Sequence, residues 1–242
     1  MKNYFIRLLV LTVILATHVS LSAQMVLTYC EPRGAGYDGD NEVLVDASGN
    51  KYQLIMTQDP NYPVTSGTSP GGDVNLVLEK YDASNNLVFS KYLIGGNGND
   101  RLTDLYINYN DRFILANNKL YICGNTTSTN FYTTDGSTYK GNIDAFLQVY
   151  DLSGNLLLSK LIGTSYLDYS PHLQVDTDDI YVIFNEADFA GLPVSTGGQA
   201  YSAGGDIYYA RYSQTGTLKY ATYIGGSGGE FSIGSTCIMI NF

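Results

Sequence analysis

The sequence predicts an all-β chain built as an array of four-stranded antiparallel units, and three observations carry that reading. The chain has 26 Gly, 22 Tyr, no Trp and only 15% charged residues, a make-up of turns and packed strands rather than of Glu/Lys/Leu-rich helices. It repeats internally: Asn75-Leu76-Val77-Leu78-Glu79-Lys80-Tyr81-Asp82 recurs as Asp144-Ala145-Phe146-Leu147-Gln148-Val149-Tyr150-Asp151 and as Asp206-Ile207-Tyr208-Tyr209-Ala210-Arg211-Tyr212-Ser213, at offsets of 69 and then 62. Short apolar runs rich in Tyr, Ile, Val and Leu alternate with Asn, Asp and Gly turns throughout.

Residues 1–23 stand apart from this pattern. Met1-Lys2-Asn3-Tyr4-Phe5-Ile6-Arg7 is a short basic start, the apolar run 8–16 is too short to span a bilayer, and small Ser22 and Ala23 precede Gln24. The segment reads as a cleaved secretory signal, followed by a lead-in over 24–35. Gln24 stands where a lipoprotein signal requires Cys, so no lipid anchor is expected, and neither is a transmembrane one. Cleavage leaves 11 basic and 23 acidic side chains, a formal charge of −12. That balance argues against nucleic acid or an anionic membrane as partner, because a basic patch is what answers phosphate. Cys30, Cys123 and Cys237 are an odd and widely spaced set, which is neither a disulfide framework nor a zinc pattern. Cys123, within Leu120-Tyr121-Ile122-Cys123, reads as a small buried hydrophobe.

Each unit contains two hairpins. The first is Glu42-Val43-Leu44-Val45, a turn, and Tyr52-Gln53-Leu54-Ile55. It is matched by Phe113-Ile114-Leu115-Ala116 with Leu120-Tyr121-Ile122, and by His172-Leu173-Gln174-Val175 with Ile180-Tyr181-Val182-Ile183. The second is the repeated run quoted above, a turn such as Leu152-Ser153-Gly154-Asn155, and a strand beginning at Leu87, Leu156 or Leu218 and closing in Ile94-Gly95, Ile162-Gly163 or Ile224-Gly225. Asn and Gly supply the turn conformations that bulkier residues resist. Four antiparallel strands repeated in step are the blade of a β-propeller, in which each sheet buries its faces against its neighbours. The units run 36–95, 96–163 and 164–225, with a partial fourth at 226–242. Closed propellers have about 4 to 8 blades, so three and a fraction lead us to expect a truncated copy, or closure by a partner chain.

Asp144-Ala145-Phe146, Asp151-Leu152-Ser153-Gly154-Asn155, Ile94-Gly95-Gly96-Asn97-Gly98-Asn99-Asp100 and the Thr-rich loop Asn125-Thr126-Thr127-Ser128-Thr129-Asn130-Phe131 together resemble the bacterial seven-bladed β-propeller (SBBP) repeat family. The resemblance covers nearly all of the chain after residue 36. It implies a propeller in a secreted or surface protein of bacteria, and it implies no single activity.

No catalytic residue, cofactor or metal site stands out. Gly95-Gly96-Asn97-Gly98-Asn99-Asp100-Arg101-Leu102-Thr103 fits the calcium-binding nonapeptide, but that site needs tandem copies. The acid recurs one unit apart as Asp168 and Glu230, which favours a turn between units. His172 is the one histidine after residue 23, at the start of an expected strand, and no nucleophile-elbow motif is present. Glu186 and Asp188 are the most isolated acids of a long connection, where solvated charge is the default. Thr134-Asp135-Gly136 lacks the spacing of an Asp-box. Binding is better motivated: loops at 59–72, 126–140 and 187–205 recur at one place in each unit, where recognition is commonly carried. Tyr62, Phe131, Tyr132, Tyr139, Phe189 and Tyr201 lie there, suited to stacking on sugar or peptide. The expectation is an exported, periplasmic, secreted or cell-surface module that binds protein or glycan. The alternative is a fragment of an extracellular carbohydrate-active hydrolase or lyase.

Overall fold

In the computed structural model of the chain, the described residues are 38–102, 112–168, 171–187, 191–202 and 205–228. They form an all-β structure of three antiparallel sheets, with no helix among them. Sheet 1 runs β1 (Asp38–Val45), β2 (Lys51–Thr57), β3 (Asn75–Tyr81) and β4 (Leu87–Tyr92), each strand pairing with the next. Sheet 2 contains β5 (Asp100–Arg101), β6 (Phe113–Ala116), β7 (Lys119–Thr126), β8 (Asp144–Asp151) and β9 (Leu156–Ile162). In it β5 and β6 lie end to end along the same edge of β7, sharing the place that β1 fills alone in sheet 1. Sheet 3 repeats the order with β10 (Pro171–Val175), β11 (Asp179–Ala187), β12 (Asp206–Ser213) and β13 (Leu218–Ile224). Each sheet falls within one of the sequence units; the two-residue β5 was not expected. The signal segment, Cys30, Cys237 and the stub after 228 lie outside the described residues.

Registers confirm the equivalences. Tyr52 pairs with Lys80, Tyr121 with Val149 and Tyr181 with Arg211, so the three tyrosines occupy one position in three sheets. The turns are built by their own side chains. The Asp46 carboxylate accepts the N–H of Ser48 (2.9 Å) and of Asn50 (3.0 Å) while its other oxygen accepts the Asn50 amide (2.8 Å). Asp82 and Asp151 make the same three bonds two residues and four residues on. These bonds let a short polar side chain stand in for backbone ladder bonds at the strand end. The fourth residue of each turn needs a positive φ, met by Gly49 (81°), Asn85 (68°) and Gly154 (74°). Asn117 (50°) and Asn118 (55°) form the two-residue β6–β7 turn, both left-handed, which matches the twist of the strands they join.

Strand alternation then decides the core. One face of sheet 1, with Tyr52, Leu54, Leu76 and Leu78, packs on Phe113, Leu120, Ile122 and Phe146 of sheet 2. The opposite face of sheet 2, with Tyr121, Cys123, Leu147 and Val149, packs on Leu173, Val182, Phe184 and Tyr208 of sheet 3. We call the face toward the next sheet in the chain the forward face, and the other the rear. The Cys123 thiol is fully buried in this second core and donates to the Pro171 carbonyl (3.3 Å). Each buried Leu, Val or Phe is worth about 1.5–3 kcal/mol, so the two inter-sheet cores dominate stability. Successive first strands also lie side by side, β1 beside β6 and β6 beside β10. Polar bonds stitch the seams: Gln148 donates to the carbonyl of Ile94 (2.5 Å), whose own N–H is accepted by the Tyr150 hydroxyl (3.2 Å), and Lys80 donates to the carbonyl of Leu152 (3.0 Å).

Candidate functional site

The polar chemistry of the described residues gathers at the strand ends where one unit hands over to the next. In the first such seam, Asp100 is 3% exposed, and its carboxylate accepts Thr126 Oγ1 (2.5 Å), Ser128 Oγ (2.9 Å) and the Gly96 N–H (3.1 Å). Ser128 Oγ in turn accepts the Gly98 N–H (3.0 Å), Thr127 Oγ1 that of Asn99 (2.8 Å) and Asn130 Oδ1 that of Asn97 (2.7 Å). The nonapeptide-like run is therefore a turn whose amides are capped by the Thr-Ser-Asn loop of the same unit. Burial, opposed by the Thr126, Gly96 and Ser128 bonds, still holds the Asp100 carboxyl up at about 6. Its oxygens are occupied by protein donors, which is the arrangement of a structural carboxyl.

The second seam holds two acids. Asp168 accepts both the N–H (2.6 Å) and the hydroxyl (3.1 Å) of Thr164, and its own N–H reaches the carbonyl of Ile143 (2.9 Å). Asp144, the next residue after Ile143, is completely buried, and its Oδ2 accepts the Lys140 N–H (2.8 Å) while Oδ1 has no hydrogen-bond partner. Burial first, then the charge of Asp168, pushes the Asp144 carboxyl up to about 7, and burial raises Asp168 too. The orphan recurs: Asn75 Oδ1 and Asp206 Oδ1, at the first residue of β3 and β12 as Asp144 is of β8, are also buried without a partner. Asp206 shares the second bond as well, Oδ2 accepting the Ser202 N–H (2.7 Å), four residues upstream as Lys140 is of Asp144. Neighbouring carboxyls raised above their ordinary range are what acid–base chemistry needs, but this pair is buried, at 0% and 3% exposure, rather than open to a substrate. Among the described residues no group of three or more His, Cys, Asp or Glu is placed to hold a metal ion.

The long loops behave differently from the free projections their composition suggests. Thr65 donates its N–H (2.7 Å) and hydroxyl (2.8 Å) to the Ser90 carbonyl and accepts the Ser90 N–H (2.9 Å). Thr134 makes the same three bonds with Ser159, at 2.8, 3.2 and 2.9 Å. Ser195 donates its N–H to the Ala221 carbonyl (2.9 Å) and accepts the Ala221 N–H on its hydroxyl (2.9 Å). A hydroxyl on each loop thus clamps the middle of the outer strand, covering an edge that would otherwise be open to pairing. This clamp was not anticipated, although Thr65, Thr134 and Ser195 stand 69 and 61 residues apart in loops already known to be rich in Ser and Thr.

The folded-back loops sort the six aromatic candidates. Tyr62 is buried, its hydroxyl donating to Glu79 (3.4 Å), and Phe131 is buried and stacked on Phe146 with centroids 5.3 Å apart. Tyr139 packs partly on the first inter-sheet core and donates its hydroxyl to the Asn142 carbonyl (2.5 Å). Tyr201 packs edge-on against Tyr223 at 5.6 Å on the second core. Tyr132 stands open at 53% exposure, while Phe189 lies outside the described residues. The structure therefore brings Phe131 and Tyr139 to one core and leaves Tyr132 as the open ring among the five. Of the acids considered, Asp135 turns back on Ser137 (3.0 and 2.6 Å) and pairs with Lys160. The side chains of Glu186 and Asp188 lie outside the described residues. His172 sits on β10 at 6% exposure, paired with Ile183 and so on the face of sheet 3 that points away from sheet 2. A scan against models of known families finds none that matches the chain, and a search of curated proteins finds none similar to it.

Proposed function

We propose that the chain is a secreted or cell-surface protein of β-propeller type, related to the SBBP repeat, that serves as a binding module for protein or glycan. The observation that carries this reading is the strict repetition of the scaffold. Three sheets share register, turn chemistry and loop clamp, and adjacent sheets stack forward face on rear face, the arrangement from which propellers are built. Loops held this firmly present a preorganised surface, so little ordering entropy opposes a ligand. Tyr132 on the second loop, with exposed Tyr166 (44%) and Val194 (39%) on neighbouring connections, supplies apolar contact area for a sugar ring or a peptide. The hydrolase or lyase alternative would need two carboxyls facing solvent across a cleft. The coupled pair of the second seam is enclosed instead, and this favours binding.

The test is a glycan array and a panel of insoluble polysaccharides probed with residues 24–242, alongside assays for reducing-end and unsaturated products. Retention of one ligand class, weakened about tenfold or more by Tyr132→Ala as expected for a stacking aromatic, supports the reading. Product release by the purified chain would overturn it in favour of the enzyme.

A further inference from the structure

We propose that Asn97-Gly98, in the turn of the first seam, is a latent site of deamidation that the 127–130 loop holds unreactive, and that its conversion releases this seam. It is the one Asn-Gly pair of the chain, and Asn97 is exposed. The chemistry belongs to the pair itself. The Gly98 nitrogen attacks Asn97 Cγ, the bond from Cγ to the side-chain nitrogen breaks, and that nitrogen leaves as ammonia with the proton given up by Gly98. Water then opens the cyclic imide, at one carbonyl to aspartate and at the other to isoaspartate, in which the main chain runs through the side chain. Glycine favours the attack because it has no Cβ to crowd the nitrogen. The second seam has Thr164-Ser165-Tyr166-Leu167 where the first has Gly96-Asn97-Gly98-Asn99, so the reactive pair is particular to the first.

Both reacting groups are tied down. The Gly98 N–H donates to Ser128 Oγ (3.0 Å), and the Ser128 hydroxyl is itself anchored on buried Asp100 (2.9 Å). Asn97 Oδ1 accepts from Thr129 Oγ1 (3.3 Å), and the Asn97 N–H donates to Asn130 Oδ1 (2.7 Å). To react, Gly98 must give up its bond to Ser128 and Asn97 must turn its Cγ toward the freed nitrogen, which the Thr129 and Asn130 bonds oppose. Small shifts of the main chain offer no escape, because the turn is walled on two sides. A Cβ on Gly98 would lie 2.5 Å from the Thr127 carbonyl carbon, and one on Gly72 would lie 2.0 Å from the Gly98 oxygen. The same lack of space makes the product disruptive. Isoaspartate adds a carbon to the main chain, and a turn packed this closely accommodates it only by parting Gly98 and Asn99 from their caps on Ser128 and Thr127.

The experiment is peptide mapping by mass spectrometry of residues 24–242 held in mildly alkaline buffer, folded or in urea, with Ser128→Ala and Asn130→Ala compared in the folded state. In urea Asn97 should convert faster than any other Asn of the chain. Folding should slow it about tenfold or more, since the turn must first open locally. Each variant should convert about two- to tenfold faster than folded wild type, the weight of one hydrogen bond. A folded wild type that converts at the urea rate overturns the proposal, as do folded variants that convert no faster than wild type. Should Ser128→Ala not fold, Asn130→Ala, at an exposed position, decides alone. Hydrogen exchange on the converted fraction, separated by its added negative charge, reads the release: faster exchange at 96–101 with 164–168 unchanged supports it, and unchanged exchange at 96–101 refutes it.

Discussion

Replacing Asp144 with Asn should make the protein more stable at neutral and alkaline pH, because the wild-type carboxyl is held where ionising it is costly. It is fully buried, Oδ2 accepts the Lys140 N–H, Oδ1 has no hydrogen-bond partner, and Asp168 stands beside it. Burial and that neighbouring charge raise it from 3.8 to about 7. A carboxyl raised in this way holds its proton more tightly folded than unfolded. Its stabilisation is complete below pH 3.8 and is lost as the pH rises through about 7. At about 1.36 kcal/mol per unit, a window of about three units is on the order of 4 kcal/mol, shared with Asp168 because coupled carboxyls titrate as a pair. Asn fits the site, since Asn75 already fills it in sheet 1, opposite Thr57 as Asp144 is opposite Thr126. Urea unfolding followed by circular dichroism tests this. With a slope of about 2–3 kcal/mol per molar, the variant's midpoint should exceed wild type's by about 1 M at pH ~8 and converge with it, or fall below it, at pH ~4. Midpoints that run parallel over that range would refute the assignment of an extra bound proton to this seam.

The opposite pH dependence is expected of the turn carboxyls. The Asn86 side chain and N–H hold Asp82 below its ordinary 3.8, and the Tyr181 hydroxyl does the same for Asp176, so their contribution fades as the pH falls; carboxyl NMR titrations should give midpoints under 3.8. Gly163→Ala would place a methyl 2.5 Å from Asp144 Cγ and should cost about 1–3 kcal/mol in thermal unfolding; an unshifted midpoint would contradict this close approach. Thr134→Val removes the hydroxyl that both donates to and accepts from Ser159, so about 1–3 kcal/mol should be lost locally, read as faster exchange of the Ser159 amide. Leu147→Ala, in the core between sheets 2 and 3, should cost about 2–5 kcal/mol globally.

The sheets were legible in the sequence because their causes are local and periodic. Asp-Gly-Asn turns, two-residue alternation and offsets shared by Tyr52, Tyr121 and Tyr181 each reflect a contact made within a few residues or repeated in every unit. The candidate site was less legible, because the fate of a loop depends on contacts about 25 residues away. Phe131 and Tyr132 are adjacent and both aromatic, yet one stacks inside on Phe146 and the other faces water. What separates them is the Thr134 clamp on Ser159, which fixes how the loop crosses the sheet edge. Likewise Asp144 was visible as a repeated letter, but its place beside Asp168 is set by the β9–β10 connection folding back on Ile143.

The forward face of sheet 3 differs from those of sheets 1 and 2 in chemistry as well as exposure. Going from sheets 1 and 2 to sheet 3, the forward-face positions change from Leu78 and Leu147 to Tyr209, from Phe89 and Leu158 to Tyr220, and from Lys80 and Val149 to Arg211. Leucine is costly to leave in water, whereas a tyrosine ring buries apolar area while its hydroxyl remains hydrated, and arginine lays a long stem along the surface with its charge outside. A face made of such residues tolerates partial hydration, in keeping with its half-buried tyrosines. The substitutions thus run from aliphatic to amphipathic side chains, on the same sheet geometry that elsewhere in the chain forms a permanent core.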